Sequence, residues 1–213
     1  MHYSNDNIII EPENERLGLY SITYDPFFIF IFGIYNIKHE KIDKSKIKFF
    51  CESIEPLSKY IKRNSKKEGH ISYESIIKIV YDLGFTIKTL ENSNKSILCF
   101  SIDDIIVLND ETFLFINTQK ILDITNKKNI TLKQPINLKN SFLTPDVDWN
   151  VLPVKANYTS SYYSLADMLI FILFGEKWDG DISLLNPIIK TKLYYLLLRC
   201  LEKEPSKRQL LYT

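Results

Sequence analysis

The sequence predicts an α+β fold, with a strand-rich part first and a mainly helical part after it. Three observations carry the prediction. Asn7–Ile10, Phe27–Ile34 and Ile47–Cys51 are short runs of aromatic and β-branched residues, the composition of strands. Ile76, Ile79, Val80, Leu83, Ile87 and Leu90 recur at spacings of three and four, which turns one face of a helix toward a core. Tyr162–Phe174 is almost wholly apolar, with Leu165, Met168, Leu169, Ile172 and Leu173, as a central buried helix requires. The expected division is a strand-rich unit over 1–55 and a helical one over 56–213.

Glu13–Ser21 reads as a short helix, and Lys38–Lys46, dense in charge, as a hairpin loop. Pro56 opens a helix over Leu57–Lys62. Asn64–Gly69 is a polar loop, and Ser72 is the N-cap of the amphipathic helix that follows. Ile97–Phe100, Ile105–Leu108 and Phe113–Ile116 are short apolar runs parted by Asp103-Asp104 and Asn109-Asp110-Glu111, the pattern of short strands joined by tight turns. Asn117–Asn140 has little periodicity and is expected to be a long, functional loop. Ile188–Leu201 is the last helix.

The chain carries 27 Lys and Arg against 26 Asp and Glu, a formal net charge of +1. That balance gives no general electrostatic basis for binding nucleic acid or a membrane. No basic stretch followed by an apolar run opens the chain, so no secretory leader is expected. The most apolar run, Phe27–Tyr35, is about half the length that a bilayer span needs. Cys51, Cys99 and Cys200 are widely spaced, with no CxxC, and read as reduced, buried thiols of a cytosolic protein. His2, His39 and His70 form no zinc-ligand spacing, and no metal or cofactor is expected. Abundant Lys, Ile, Asn and Tyr with scarce Gly point to an AT-rich genome such as that of a virus or parasite.

Four landmarks lie in order along the chain. They are Pro26–Tyr35 with Phe49-Phe50-Cys51-Glu52 and Leu57–Ile61; Ile97–Leu108 (ILCFSIDDIIVL); Phe142–Val147 (FLTPDV); and Ser161–Gly175 followed by Cys200–Arg208 (CLEKEPSKR). Together they resemble a protein kinase. The matching parts are the last two small-lobe strands with the hinge and next helix, the catalytic loop and its following strand, the Ala-Pro-Glu element, and the large-lobe core helix with the closing Pro-x-x-Arg. The resemblance covers about residues 26–211 and implies a protein-kinase-like fold with a truncated small β-rich lobe and a mainly helical large lobe.

The same resemblance implies that the chemistry is lost. The His-Arg-Asp of the family falls on Ile97-Leu98-Cys99, so Cys99 stands where the catalytic base should be. The metal-holding Asn falls on Asp104, and Asp-Phe-Gly falls on Asn117-Thr118-Gln119. A neutral amide at Asn117 is a poor ligand for a hard dication, which favours charged oxygens. Glycines 18, 33, 69, 84, 175 and 180 are scattered and form no phosphate-cradling loop. If Ile8–Glu11 is the remnant of the strand that carries the phosphate-binding Lys, Glu11 takes the place of that Lys. Loss of a general base alone costs ~10²–10⁴-fold in rate. Asp146 and Arg208 match the acid of Ala-Pro-Glu and the Arg that pairs with it, so a structural ion pair is expected; two unrelated surface charges are the alternative. The expectation is an inert scaffold, not an enzyme. An atypical metal site from Asp103, Asp104 and Asp123 is the rival reading, against loop carboxylates that face water.

Ile31-Phe32-Gly33-Ile34, Cys51-Glu52 and Thr144-Pro145-Asp146 narrow the likeness to the mixed lineage kinase domain-like pseudokinases, and to their truncated poxvirus members. That likeness implies a viral decoy in the host cytoplasm, a monomer on its own. It would bind the receptor-interacting protein kinase of the necroptosis pathway and so inhibit necroptosis. In the family, an aromatic residue soon after the Ser-Pro-Glu element inserts into the upstream kinase. The matching position is Leu152, with Val151 and Trp149 beside it. Packing of Leu152 and Trp149 on their own lobe is the alternative. A pseudokinase scaffold for a different host or viral kinase is a further reading.

Overall fold

A computed structural model describes residues 3–5, 8–68, 71–125 and 128–211. β1 (Tyr3–Asn5), β2 (Ile8–Asn14), β3 (Leu19–Thr23), α1 (Pro26–Ile34), β4 (His39–Lys41) and β5 (Lys46–Phe50) build the strand-rich part. The strands form one antiparallel sheet in the order β1-β2-β3-β5-β4. Alternation along the strands splits the sheet by polarity. Ile10, Tyr20, Ile22, Ile47 and Phe49 are buried on the α1 side, while Glu11 and Lys46 are ion-paired at 2.8 Å on the other. From α1, Phe28, Ile31 and Phe32 meet them at helical spacing, and the Phe32 and Phe49 rings lie 5.0 Å apart.

Three expectations need correction here. Phe27–Ile34 is helical, not a strand. Its composition suits a strand, but the Asp25 carboxylate accepts from Phe27 N at 2.8 Å and Pro26 fills the first helical position. Those two features start a helix. Glu13–Ser21 is not a helix. It holds one 3-10 turn, Glu15–Leu17, closed by Gly18 at φ +64°, and then enters β3. A Cβ on Gly18 would meet the Cys51 carbonyl oxygen at 2.5 Å, so only glycine lets the two backbones approach. Finally, among the described residues the strand-rich part holds five paired strands, where the sequence suggested three. Glu11 lies on β2, not on the strand that leads into the helix.

The rest of the chain runs β6 (Ile54–Pro56), α2 (Leu57–Glu68), α3 (Tyr73–Asn92), β7 (Lys95–Ile97), β8 (Ile105–Leu108), β9 (Thr112–Phe115), β10 (Ile121–Asp123), β11 (Asn129–Leu132), β12 (Val154–Asn157), α4 (Ser160–Phe174) and α5 (Lys192–Cys200). The division expected between residues 55 and 56 falls inside β6, which pairs with β8. The stretch 117–140 is not one long loop. It holds β10, paired with β7, and β11, paired with β12. Both strands are too short to show a period in sequence. Ser72 caps α3 as expected, its hydroxyl accepting from Ser75 N at 3.1 Å. The inner face of α3 shares one buried cluster with Leu165, Met168 and Leu169 of α4 and with Leu193, Leu196 and Leu197 of α5.

β6, β8 and β9 form a middle layer. Ile105, Val107, Phe113 and Phe115 face the helices. Their neighbours Ile106, Leu108, Leu114 and Ile116 face the five-stranded sheet. The period of two thus joins the two halves through one small sheet. Among the described residues, no helix is long and apolar enough to cross a membrane.

Candidate functional site

Asp104 closes a 3-10 turn, Ile102–Asp104, whose start is capped by the Ser101 hydroxyl. The turn points the Asp104 side chain inward, where it is 3% exposed. Its Oδ1 accepts from Asn117 Nδ2 at 2.8 Å, and its Oδ2 from Lys120 Nζ at 2.6 Å. Lys120 ends a second 3-10 turn, Thr118–Lys120, and its side chain is 2% exposed. Its ammonium also donates to Ser141 Oγ at 2.9 Å. Cys99 is fully buried beside this cluster, and burial pushes its thiol up to about 11, with the Lys120 charge opposing part of that rise.

The three flagged positions Cys99, Asp104 and Asn117 are therefore brought together. Their chemistry is that of a closed, neutralised cluster. Both Asp104 oxygens accept hydrogen bonds, and the charge is matched by an ammonium of the same chain. A buried charge stripped of its partner costs ~3–5 kcal/mol, so the pair is held firmly. Lys120 and Ser141 were not foreseen. Nothing in the sequence marked them, since the burial of Lys120 arises only in the packed chain.

The rival carboxylate set does not assemble. Asp103 Oδ2 accepts from Asn140 Nδ2 at 3.3 Å, Asp123 pairs with Lys95 at 2.8 Å, and Asp104 pairs with Lys120. Among the described residues there is no group of three His, Cys, Asp or Glu side chains that could hold a metal ion.

Asp146 and Arg208 are brought together as an ion pair, with the Arg208 side chain fully buried. Arg208 Nε donates to the Glu202 carbonyl at 2.8 Å, and the guanidinium lies 5.0 Å from the Tyr163 ring centroid. The Thr144 hydroxyl donates to the same Asp146 carboxylate. The pair ties the stretch after β11 to the end of the chain.

The three candidate contact residues part company. Trp149 is half-buried against the cluster of Leu98, Ile130, Leu132 and Val154, and its Nε1 donates to the Thr144 carbonyl at 2.9 Å. Packing on its own lobe accounts for it. Val151 is 58% exposed and Leu152 46% exposed, in the loop between Trp149 and β12.

The five-stranded sheet and the middle layer share one buried apolar cluster. Ile10, Tyr20, Ile22, Ile106, Leu108, Leu114 and Ile116 pack there, none more than 6% exposed. No family model matches the chain, and no curated protein matches it either.

Proposed function

We propose that this chain has a protein-kinase-like fold, has no phosphoryl-transfer activity, and works by binding a protein kinase. Three features support the fold. A five-stranded antiparallel sheet carries one helix between its third and fourth strands. A short connection then leads to a helical half. In that half a buried turn at Asp104 precedes a strand pair that runs directly into Asn117.

The observation that carries the loss of activity is the Asp104–Lys120–Asn117 cluster. In a kinase the positions matched by Asp104 and Asn117 hold the metal ions that bridge the nucleotide phosphates. Here one is a neutral amide, and the other is saturated by an ammonium. A second feature agrees. Nucleotide binding in kinases uses a Lys on the third strand paired with a Glu on the helix. β3 (LYSIT) has no basic residue, and α1 (PFFIFIFGI) has no acid. Glu11 serves an ion pair with Lys46 on the far face of the sheet.

The binding role rests on the exposed Val151–Leu152 loop and on the likeness to the mixed lineage kinase domain-like pseudokinases at Cys51-Glu52 and Thr144-Pro145-Asp146; Ile31-Phe32-Gly33-Ile34, which is helical, no longer counts toward it. The partner proposed is the receptor-interacting kinase of the necroptosis pathway, held so that it cannot engage its own effector. Leu152→Asp should weaken binding to that kinase domain by about tenfold or more, as expected of a contact anchor. Because Leu152 is exposed, the thermal midpoint should hardly move. A binding titration with both purified proteins checks this. Equal affinity of the variant removes Leu152 from the interface, and no binding by the unaltered chain removes the partner.

A further inference from the structure

We infer that Lys120 is a built-in counter-ion that staples both ends of the 117–141 segment to Asp104, and that it thereby positions the exposed Val151–Leu152 loop. The staple is complete in its geometry. Asp104 takes Asn117, the first residue of the segment, on one oxygen, and Lys120 on the other. Lys120 reaches across to Ser141, the last residue of the segment. All four side chains lie in buried residues. The backbone repeats the tie: Leu98 N donates to the Lys120 carbonyl at 2.8 Å, and Phe142 N to the Phe100 carbonyl at 2.8 Å.

The stapled segment carries β11, and β11 pairs in register with β12, Leu132 opposite Val154. Val154 is two residues beyond Leu152. Leu132, Ile130, Val154 and Ala156 pack with Leu98 and Cys99, the latter beside Lys120. Trp149, at the other foot of the loop, leans on the same cluster. Both feet of the loop thus stand on a group that the Lys120 staple closes from below. An ion pair suits this task. Removing one partner leaves a buried, unmatched charge, whereas a neutral pair of similar shape is tolerated. Lys120 is a positioning residue and touches no partner itself. Its relevance to binding rests on the proposed function; the experiment below does not.

Hydrogen exchange followed by mass spectrometry on the whole chain tests the staple. Three proteins are compared: the unaltered chain, Lys120→Met, and the neutral double variant Asp104→Asn with Lys120→Met. With Lys120→Met, amides of β10, β11 and β12 should exchange on the order of 100-fold faster, while those of α4 keep their protection. The double variant should fold and keep α4 protected. It should still exchange faster in β10, β11 and β12, because the charged tie to Ser141 is gone. If Lys120→Met does not fold, the double variant alone decides. Unaltered protection of β10, β11 and β12 in the double variant overturns the inference. So does protection lost evenly across α4 and the five-stranded sheet, or a double variant that does not fold, since the pair would then serve the whole domain.

Discussion

Asp82 lies on α3 beneath the end of α1. Its Oδ2 accepts from Phe113 N at 2.8 Å, and the Tyr35 hydroxyl donates to its backbone carbonyl at 3.0 Å. Burial pushes its carboxyl up to about 6, with the hydrogen bond from Phe113 pulling the other way. A raised carboxyl pKa means that the folded state holds the proton more tightly than the unfolded chain. This group therefore favours folding most below about pH 4, and that contribution is lost as pH rises through about 6. Asp82→Asn keeps an acceptor for Phe113 N and has nothing to ionise. Urea melts should show it gaining on the unaltered protein between pH 4 and 7, by no more than ~3 kcal/mol. A difference that does not vary with pH would contradict this. The thiols give a simpler test. Cys51, Cys99 and Cys200 are buried, and burial pushes them up to about 12, 11 and 12. None should be alkylated at pH 8 in the folded protein, and all three should be in urea. At this scale the sequence flagged Cys99, Asp104 and Asn117 by motif position alone. Lys120 stayed hidden because its burial is a property of the packed chain, not of its neighbours in sequence.

Among the elements, α3 and α4 were legible for physical reasons. A long helix repeats its apolar residues often enough to show a period, and Ser72 marks where α3 starts. Short strands lack that length. β3, β10 and β11 owe their state to partners distant in sequence. α1 is the instructive case. Its nine residues are nearly all apolar, so no face stands out, and Phe and Ile favour strands in isolation. The local signal that decided it was Asp25-Pro26, a cap followed by a first-turn proline. Asp25→Ala should therefore cost ~1 kcal/mol in a denaturant melt. No change would mean that burial of Phe28, Ile31 and Phe32 suffices to hold α1 without its cap.

For the whole molecule, the α+β order of strands first and helices later was readable from composition. The way the halves meet was not. The middle layer β6-β8-β9 offers one apolar face to the helices and the other to the five-stranded sheet, so two separate cores meet across one small sheet. In the kinase-like reading, this junction is where a nucleotide would enter. Ile10, Tyr20, Ile106 and Leu114 belong to one buried cluster there, and Asp104 is paired with Lys120. The proposed function takes the chain to work by its surface, without nucleotide. The direct measurement is thermal unfolding of the purified chain with ATP, with and without Mg²⁺ or Mn²⁺. The account predicts the same midpoint in every condition. A rise in the midpoint that requires the metal would contradict it, because it would place a functional metal–nucleotide site where Asp104 is held by Lys120.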